Sequence, residues 1–198
     1  CGDDVFGRFM LETMQARGID TSAVVIRATE RTGISVILNE SSDRAILTFP
    51  GLIPALQASD VPDELLRQAR HLHVASYFLQ TGLQRGVPEL FRRAHSFGLT
   101  TSLDTNYDPS EKWKGVSQLL METDVFLPNR TEALSITGAS TVEAAARSLA
   151  GIHGLVVIKL GSDGALAYGA ESLTRSPSIP VDVVDSVGAG DSFDAGYL

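Results

Sequence analysis

Cysteine is nearly absent from this chain. Cys1 is its only one, so no disulfide can form within it. Such usage fits a reducing compartment, and a cytoplasmic protein is expected. Long apolar runs are missing too, and none approaches the roughly 20 residues that a bilayer crossing needs. No membrane association is therefore expected. The opening Cys1-Gly2-Asp3-Asp4 is polar and acidic, unlike a secretory leader. Basic charge is scarce: 16 Lys and Arg face 24 Asp and Glu, for a net charge of -8. A nucleic-acid partner normally calls for a basic patch. The basic residues are scattered, and the one adjacent pair, Arg92-Arg93, reads as a solvated helix face.

Several glycine-rich signatures are lacking as well. A dinucleotide fingerprint needs a third glycine where Phe193 stands. A Walker A loop needs a Gly-Lys pair, and the sequence has none. A nucleophile elbow needs Gly-x-Ser-x-Gly, which Gly161-Ser162-Asp163-Gly164 does not match.

What remains is an ordinary globular composition, with 43% hydrophobic and 20% charged residues. Its 198 residues suffice for a sizeable core. Phe6, Met10 and Met14 recur at helical spacing, which predicts a helix over about 4–17 with Gly18 as its C-cap. Val24–Arg27, Gly33–Asn39 and Arg44–Phe49 read as strands of a small antiparallel flap, with 39–43 as a hairpin loop. From Val61 onward, strands alternate with helices. The strands are Leu72–Phe78, Leu99–Leu103, Val125–Leu127, Leu155–Lys159 and Ala165–Tyr168, and Ile179–Val184 reads as extended. Helices are marked by Leu65/Leu66/Ala69, by Val87/Leu90/Phe91/Ala94, by 116–120 and by Val142/Ala146/Leu149. This alternation predicts an α/β fold in three layers with a mostly parallel central sheet. Ligands of such sheets sit beyond the carboxyl ends of the strands.

The strongest chemical signal is Asp185-Ser186-Val187-Gly188-Ala189-Gly190-Asp191-Ser192-Phe193. An extended run enters a glycine-rich turn that opens a helix. Its N–H groups, with the helix N-terminus behind them, suit an anion. Asp191 would repel phosphate unless it faces a nucleophilic hydroxyl while the N–H groups face a transferring phosphoryl. Phosphoryl transfer needs positioning and charge stabilisation more than a strong base. A purely structural alternative is a tight turn with Asp191 as a helix N-cap.

Residues 185–196 resemble the signature Asp-Thr-x-Gly-Ala-Gly-Asp-x-Phe-x-x-Gly of the PfkB, or ribokinase-like, carbohydrate kinases, with Ser186 in place of Thr. Other segments resemble the family in the same order. They are Gly2-Asp3-Asp4-Val5-Phe6-Gly7 with Gly18-Ile19-Asp20-Thr21, Thr32-Gly33, Asn129-Arg130-Thr131-Glu132, and Lys159-Leu160-Gly161-Ser162-Asp163-Gly164.

The resemblance implies a ribokinase-like αβα kinase domain over 1–198, with lid strands at about 24–49 inserted in it. It implies ATP and Mg²⁺ as cofactors, with a monovalent cation such as K⁺ in several members. Asp191 would be the base, and Gly188, Ala189 and Gly190 the anion hole. Asp185 would help hold the monovalent cation, or else cap the turn. Asn129 and Glu132 would organise Mg²⁺ through water, or form a helix capping box, or both. Lys159, Gly161 and Gly164 would meet the nucleotide.

Asp104 and Asn106 match a sugar-side strand end. Gln80 is a further sugar-side residue, or an ordinary loop residue. Asp108 stands where some relatives place an Arg for acidic sugars, which argues against a keto-acid substrate. His71 and His73 share one strand face and read as structural. The lid would cover a small-molecule sugar and pair between subunits of a homodimer.

The family's first strand and its adenine-covering helices have no counterpart in the sequence. The chain is therefore expected to be a fragment lacking both ends, poorly stable and nearly inactive alone. Three functions stay open: a sugar kinase, a nucleoside kinase of the same family, and a non-catalytic sugar- or nucleotide-binding regulator.

Overall fold

The computed structural model describes residues 1–40, 43–150 and 154–198. They divide into two compact units, 1–65 with 79–86, and 66–78 with 87–198.

The first unit begins with α1 (Val5–Ala16), capped by Asp4, whose carboxylate accepts the Gly7 N–H at 2.8 Å. The helix ends at Arg17 as C-cap, not at Gly18. Gly18 is the next residue; its N–H reaches the Gln15 carbonyl while Ile19 reaches Met14. This is a Schellman ending, which needs the left-handed residue one step beyond the cap. Two strands, β1 (Ile34–Glu40) and β2 (Asp43–Phe49), pair antiparallel. The hairpin loop expected at 39–43 falls on residues 41 and 42, outside the described residues. Val24–Arg27 is not a strand. Only a single bridge joins Arg27 to Gly2, because β-forming side chains without a ladder partner make no sheet. Asp4 also accepts the Thr32 N–H and hydroxyl at 2.8 Å, so two separate family-like segments meet here.

The short helix α2 (Asp63–Arg67) spans the boundary between the units. A one-turn helix, α3 (Thr81–Gln84), belongs to the first.

The second unit is built on a six-stranded sheet. Its strands are β3 (His71–Ala75), β4 (Thr100–Asp104), β5 (Val125–Phe126), β6 (Leu155–Lys159), β7 (Ala165–Gly169) and β8 (Ser172–Ser176), in that spatial order. The first three pairings are parallel and the last two antiparallel, so the sheet is mixed. Each parallel crossover steps to the next strand in the same direction. With the usual right-handed connection, all crossover helices then lie on one face. These are α4 (Val87–Ser96), α5 (Val116–Leu120), α6 (Arg130–Thr137) and α7 (Val142–Ala150). Leu90, Phe91, Leu103, Phe126, Leu149 and Ile158 are fully buried and form the core beneath them.

The strand period of two sends His71, His73, Ser102, Asp104, Val157 and Lys159 to the opposite face. There α8 (Ala189–Tyr197) makes the third layer. His71 bonds the Thr100 and Ser102 hydroxyls, and His73 the Ser102 hydroxyl, all at 2.7 Å. Strand β8, polar in sequence (Ser-Leu-Thr-Arg-Ser), and the one-turn α3 have no counterpart in the sequence-based expectation, whereas α6 starts at the capping box expected at Asn129 and Glu132. Ile179–Val184 forms no strand, and Ile179, Val181, Val183 and Val184 are all largely exposed. No helix among the described residues is long and apolar enough to cross a membrane.

Candidate active site

The carboxyl ends of β4 and β6 and the starts of α6 and α8 bring most of the singled-out residues into the second unit. Gln80 is apart from this set. It lies in the first unit, as the N-cap residue of α3.

The turn before α8 has the expected form. Gly188 is the N-cap at φ 74, a left-handed conformation that a side chain disfavours. The first N–H groups of a helix have no intrahelical acceptor. That of Ala189 makes one long bond, 3.3 Å, to the Ser186 carbonyl, while Ser192 is the first to bond back, to Gly188. The N–H groups of 188–190 thus stand at the helix start, before the first bond of the helix ladder. Asp191 lies exposed in the first turn of the helix. Asp185 accepts the Val187 N–H at 2.9 Å and so caps the turn, the second of its two expected roles.

Asn129 and Glu132 form a reciprocal capping box at α6. Glu132 accepts the Asn129 backbone N–H at 2.8 Å and its side-chain amide at 2.6 Å. The Glu132 carboxyl is 3% exposed, and burial pushes its pKa up. The Asn129 N–H opposes this and the Asp104 charge adds to it. A nearby cation would relieve that strain on the charged form. Among the described residues, no three His, Cys, Asp or Glu side chains gather into a metal cage. Each Glu132 oxygen keeps accepting capacity beyond its bond to Asn129, which suits Mg²⁺ held through its own water.

Lys159 departs from its expected place on the nucleotide side. Its Nζ lies 2.7 Å from Asp104 Oδ2 and 3.1 and 3.2 Å from the two oxygens of Asp194. Burial works against its charge, but Asp104 and then Asp194 outweigh it and raise its pKa. Asp194 is pushed up to about 7, chiefly by burial and then by its hydrogen bond with Asp104, with Lys159 pulling the other way. Asp104 also accepts the Asn106 N–H at 3.0 Å, and the Asn106 amide reaches Ser76 Oγ at 3.1 Å. A Cβ on Gly190 would lie 3.6 Å from Lys159 Nζ, so the ammonium sits directly beneath the glycine turn.

Asp194 was missed in the sequence. Its signal is an Asp one helical turn after Asp191, beside the apolar Phe193 and Tyr197. A carboxylate on that side of an amphipathic helix requires a partner.

Asp108 is also unlike its expectation. It is 4% exposed, and its carboxylate accepts from the Ser110 N–H and hydroxyl and from the N–H groups of Lys112 and Trp113. It holds its own loop together, so it gives no argument about substrate charge.

In the loop expected to meet the nucleotide, Gly161 and Gly164 bracket a single 3₁₀ turn. A Cβ on Gly164 would fall 1.9 Å from the Ser176 carbonyl oxygen, so only glycine lets the loop lie against β8. A Cβ on Gly161 would meet nothing within 4 Å, leaving that backbone open to a ligand. Arg130, at the start of α6, is ion-paired to Asp163 in this turn. A groove of about 670 Å³ runs from the loop between β7 and α8. Val157, Ala165, Ala167, Phe193 and Tyr197 line it, which gives it the size and apolar character of a small-molecule site.

A profile of the pfkB family carbohydrate kinases matches residues 1–198. The chain belongs to this family. An uncharacterized sugar kinase from Archaeoglobus fulgidus is 31% identical over 205 residues, covering 100% of the chain and 78% of that protein. A 1-phosphofructokinase from Haloferax volcanii is 29% identical, covering 98% of the chain and 62% of the relative. A nucleoside kinase from Methanothermobacter thermautotrophicus is 25% identical, covering 100% and 62%. Among solved structures, a PfkB protein from Polaromonas sp. JS666 aligns with a TM-score of 0.84 at 29% identity, over 98% of this chain and 68% of that one. A putative ribokinase II from E. coli, in complex with ATP and Mg²⁺, aligns with a TM-score of 0.86 at 25% identity, over 97% and 65%. The chain thus spans less than two thirds of the length of several of these kinases.

Proposed function

We propose that the protein transfers the γ-phosphoryl group of ATP to a hydroxyl of a sugar. The observation that carries this is the glycine turn of 188–190 opening α8 with Asp191 in its first turn. Donors for a developing negative charge and an acceptor for a hydroxyl proton then lie within four residues. Asp191 takes the proton of the attacking hydroxyl, and its exposure keeps it accessible to a substrate. The N–H groups of Gly188, Ala189 and Gly190 hold the equatorial oxygens of the phosphoryl group. The long Ala189 bond to Ser186 is weak enough to be exchanged for a phosphate oxygen.

Glu132, supported by Asn129, is the residue to hold Mg²⁺ through water. That ion, when bound, neutralises charge on the polyphosphate. The Gly161–Gly164 loop and the apolar groove are the place for the nucleotide. Asp104 and Asn106 stand at the sugar side. Asp185 is the residue to hold a monovalent cation such as K⁺, through atoms left by its turn bond. The β1–β2 hairpin exposes Val36, Leu38, Leu47 and Phe49 on one face, which suits a lid or a homodimer contact. The single free cysteine agrees with a cytoplasmic setting.

The test is ADP release from ATP and Mg²⁺ by the full-length protein, over ribose, fructose, fructose phosphates, 2-keto-3-deoxygluconate and adenosine. Turnover of one sugar is expected, falling by roughly 10²–10⁴-fold in Asp191→Asn. Unchanged turnover in that variant would remove Asp191 as the base. The nucleoside kinase among the relatives gives the second reading, and turnover of adenosine alone would favour it. Binding without any turnover would point to a regulator.

A further inference from the structure

Lys159 contacts two buried carboxylates that come from different layers. Asp104 ends β4, and Asp194 lies on α8. Their side chains are 2% and 4% exposed, and that of Lys159 is 13% exposed. Asp194 follows Asp191 by three residues, so the two occupy neighbouring places along one side of the helix. The same ammonium lies 3.6 Å from the Cβ position of Gly190. We propose that Lys159, through Asp104 and Asp194, is a positioning residue that pins α8 to the sheet and so aims the 188–190 turn and Asp191 at the transferring phosphoryl.

This rests on the kinase function proposed above, and it moves Lys159 from the nucleotide to the scaffold. Phe193 and Tyr197 of this nine-residue helix line the apolar groove, while the Lys159 contacts at 2.7–3.2 Å are directional and reach the helix at Asp194. Other charges face the cluster. Glu132 from α6 feels Asp104 and Lys159, and His73 from β3 feels Asp104, Lys159 and Asp191. Both carboxylates are desolvated, so the pairing is directional, and removing its cation leaves them without compensation.

The experiment compares the full-length protein with Lys159→Met, Lys159→Arg, Asp194→Ala and the double variant Lys159→Met/Asp194→Ala. It reads amide hydrogen exchange over 188–198, and kcat and KM for ATP. Lys159→Met is expected to speed exchange in that segment by ~10-fold or more. Its kcat should fall roughly 100-fold, the scale of a small misplacement of catalytic groups. Its KM for ATP should stay within about threefold, since the lost interaction is not with ATP. Lys159→Arg should restore part of the loss. Asp194→Ala should resemble Lys159→Met, and the double variant should be no worse than either, because the residues act as one unit.

A rise in KM of about tenfold with kcat kept would overturn the proposal and make Lys159 a phosphate contact. Unchanged exchange, or effects that multiply in the double variant, would also overturn it. If Lys159→Met does not fold, Asp194→Asn is read in the same two ways. If the unaltered protein turns over no sugar or nucleoside, the kinase function fails, and the exchange result alone decides whether the helix is pinned.

Discussion

Two aspartates meet opposite fates in this molecule. Asp4 caps α1 in the first unit, and Asp194 sits on α8 in the second. Asp4 receives the N–H groups of Thr32 and Gly7 and the Thr32 hydroxyl, and its pKa is lowered to about 2. Asp194 is buried beside another carboxylate, and its pKa rises to about 7 although a lysine touches it. What decides is the number of donors relative to water lost, not the presence of a positive charge. Donors built into a turn favour the charged form, whereas desolvation shared by two carboxylates and one lysine leaves one negative charge too many.

The largest effect that would sharpen this contrast is expected from Lys159→Met. Two buried carboxylates would lose their cation, and unfolding by denaturant should show a loss of about 3 kcal/mol. The loss should be greater at pH 8 than at pH 5, where Asp194 takes up a proton. Equal losses at both pH values would mean that Asp194 does not titrate in this range.

A smaller effect is expected from Asp194→Asn. The folded-state pKa of Asp194 is above its ordinary 3.8, so the folded protein binds the extra proton. Its contribution to stability is full below 3.8 and is lost as pH rises through about 7. Melting temperatures between pH 4 and pH 8 should therefore decline less steeply in Asp194→Asn than in the native protein. Parallel curves would refute the raised pKa.

The smallest effect is expected from Asp4→Asn, and its sign is reversed. A depressed pKa contributes stability above 3.8 that is lost as pH falls toward about 2. Asn still caps a helix but cannot accept at both former oxygens, so at neutral pH the variant should melt modestly below the native protein, and the gap should narrow in acid. In acid it should lack part of the native protein's loss, as a melt at pH 3 would show. A variant that melts far lower at neutral pH would show that the Thr32 contacts, not the cap, carry the region.

Much of the second unit was legible because its periodicities are strong. Leu155–Lys159 and the helix at 116–120 have the bounds the pattern predicts, and the Val142, Ala146 and Leu149 face marks α7. Strand β8 was not legible, because an edge strand of Ser-Leu-Thr-Arg-Ser needs only one neighbour and no apolar face. Val24–Arg27 misled for the converse reason, having strand-forming residues and no ladder. The Gly188–Asp191 turn was fully legible, since a positive φ and a helix start leave their mark in residue type. Asp108 was not, because a carboxylate engaged by its own loop looks the same in sequence as one facing a ligand.

The order of residues alone determined the family, the alternation of strands and helices, and the turn that carries Asp191, since these are local patterns. Only the tertiary structure decided that Lys159 serves Asp104 and Asp194. Those residues are 55 and 35 positions away in the chain, and the charge state of a carboxylate depends on what burial brings against it.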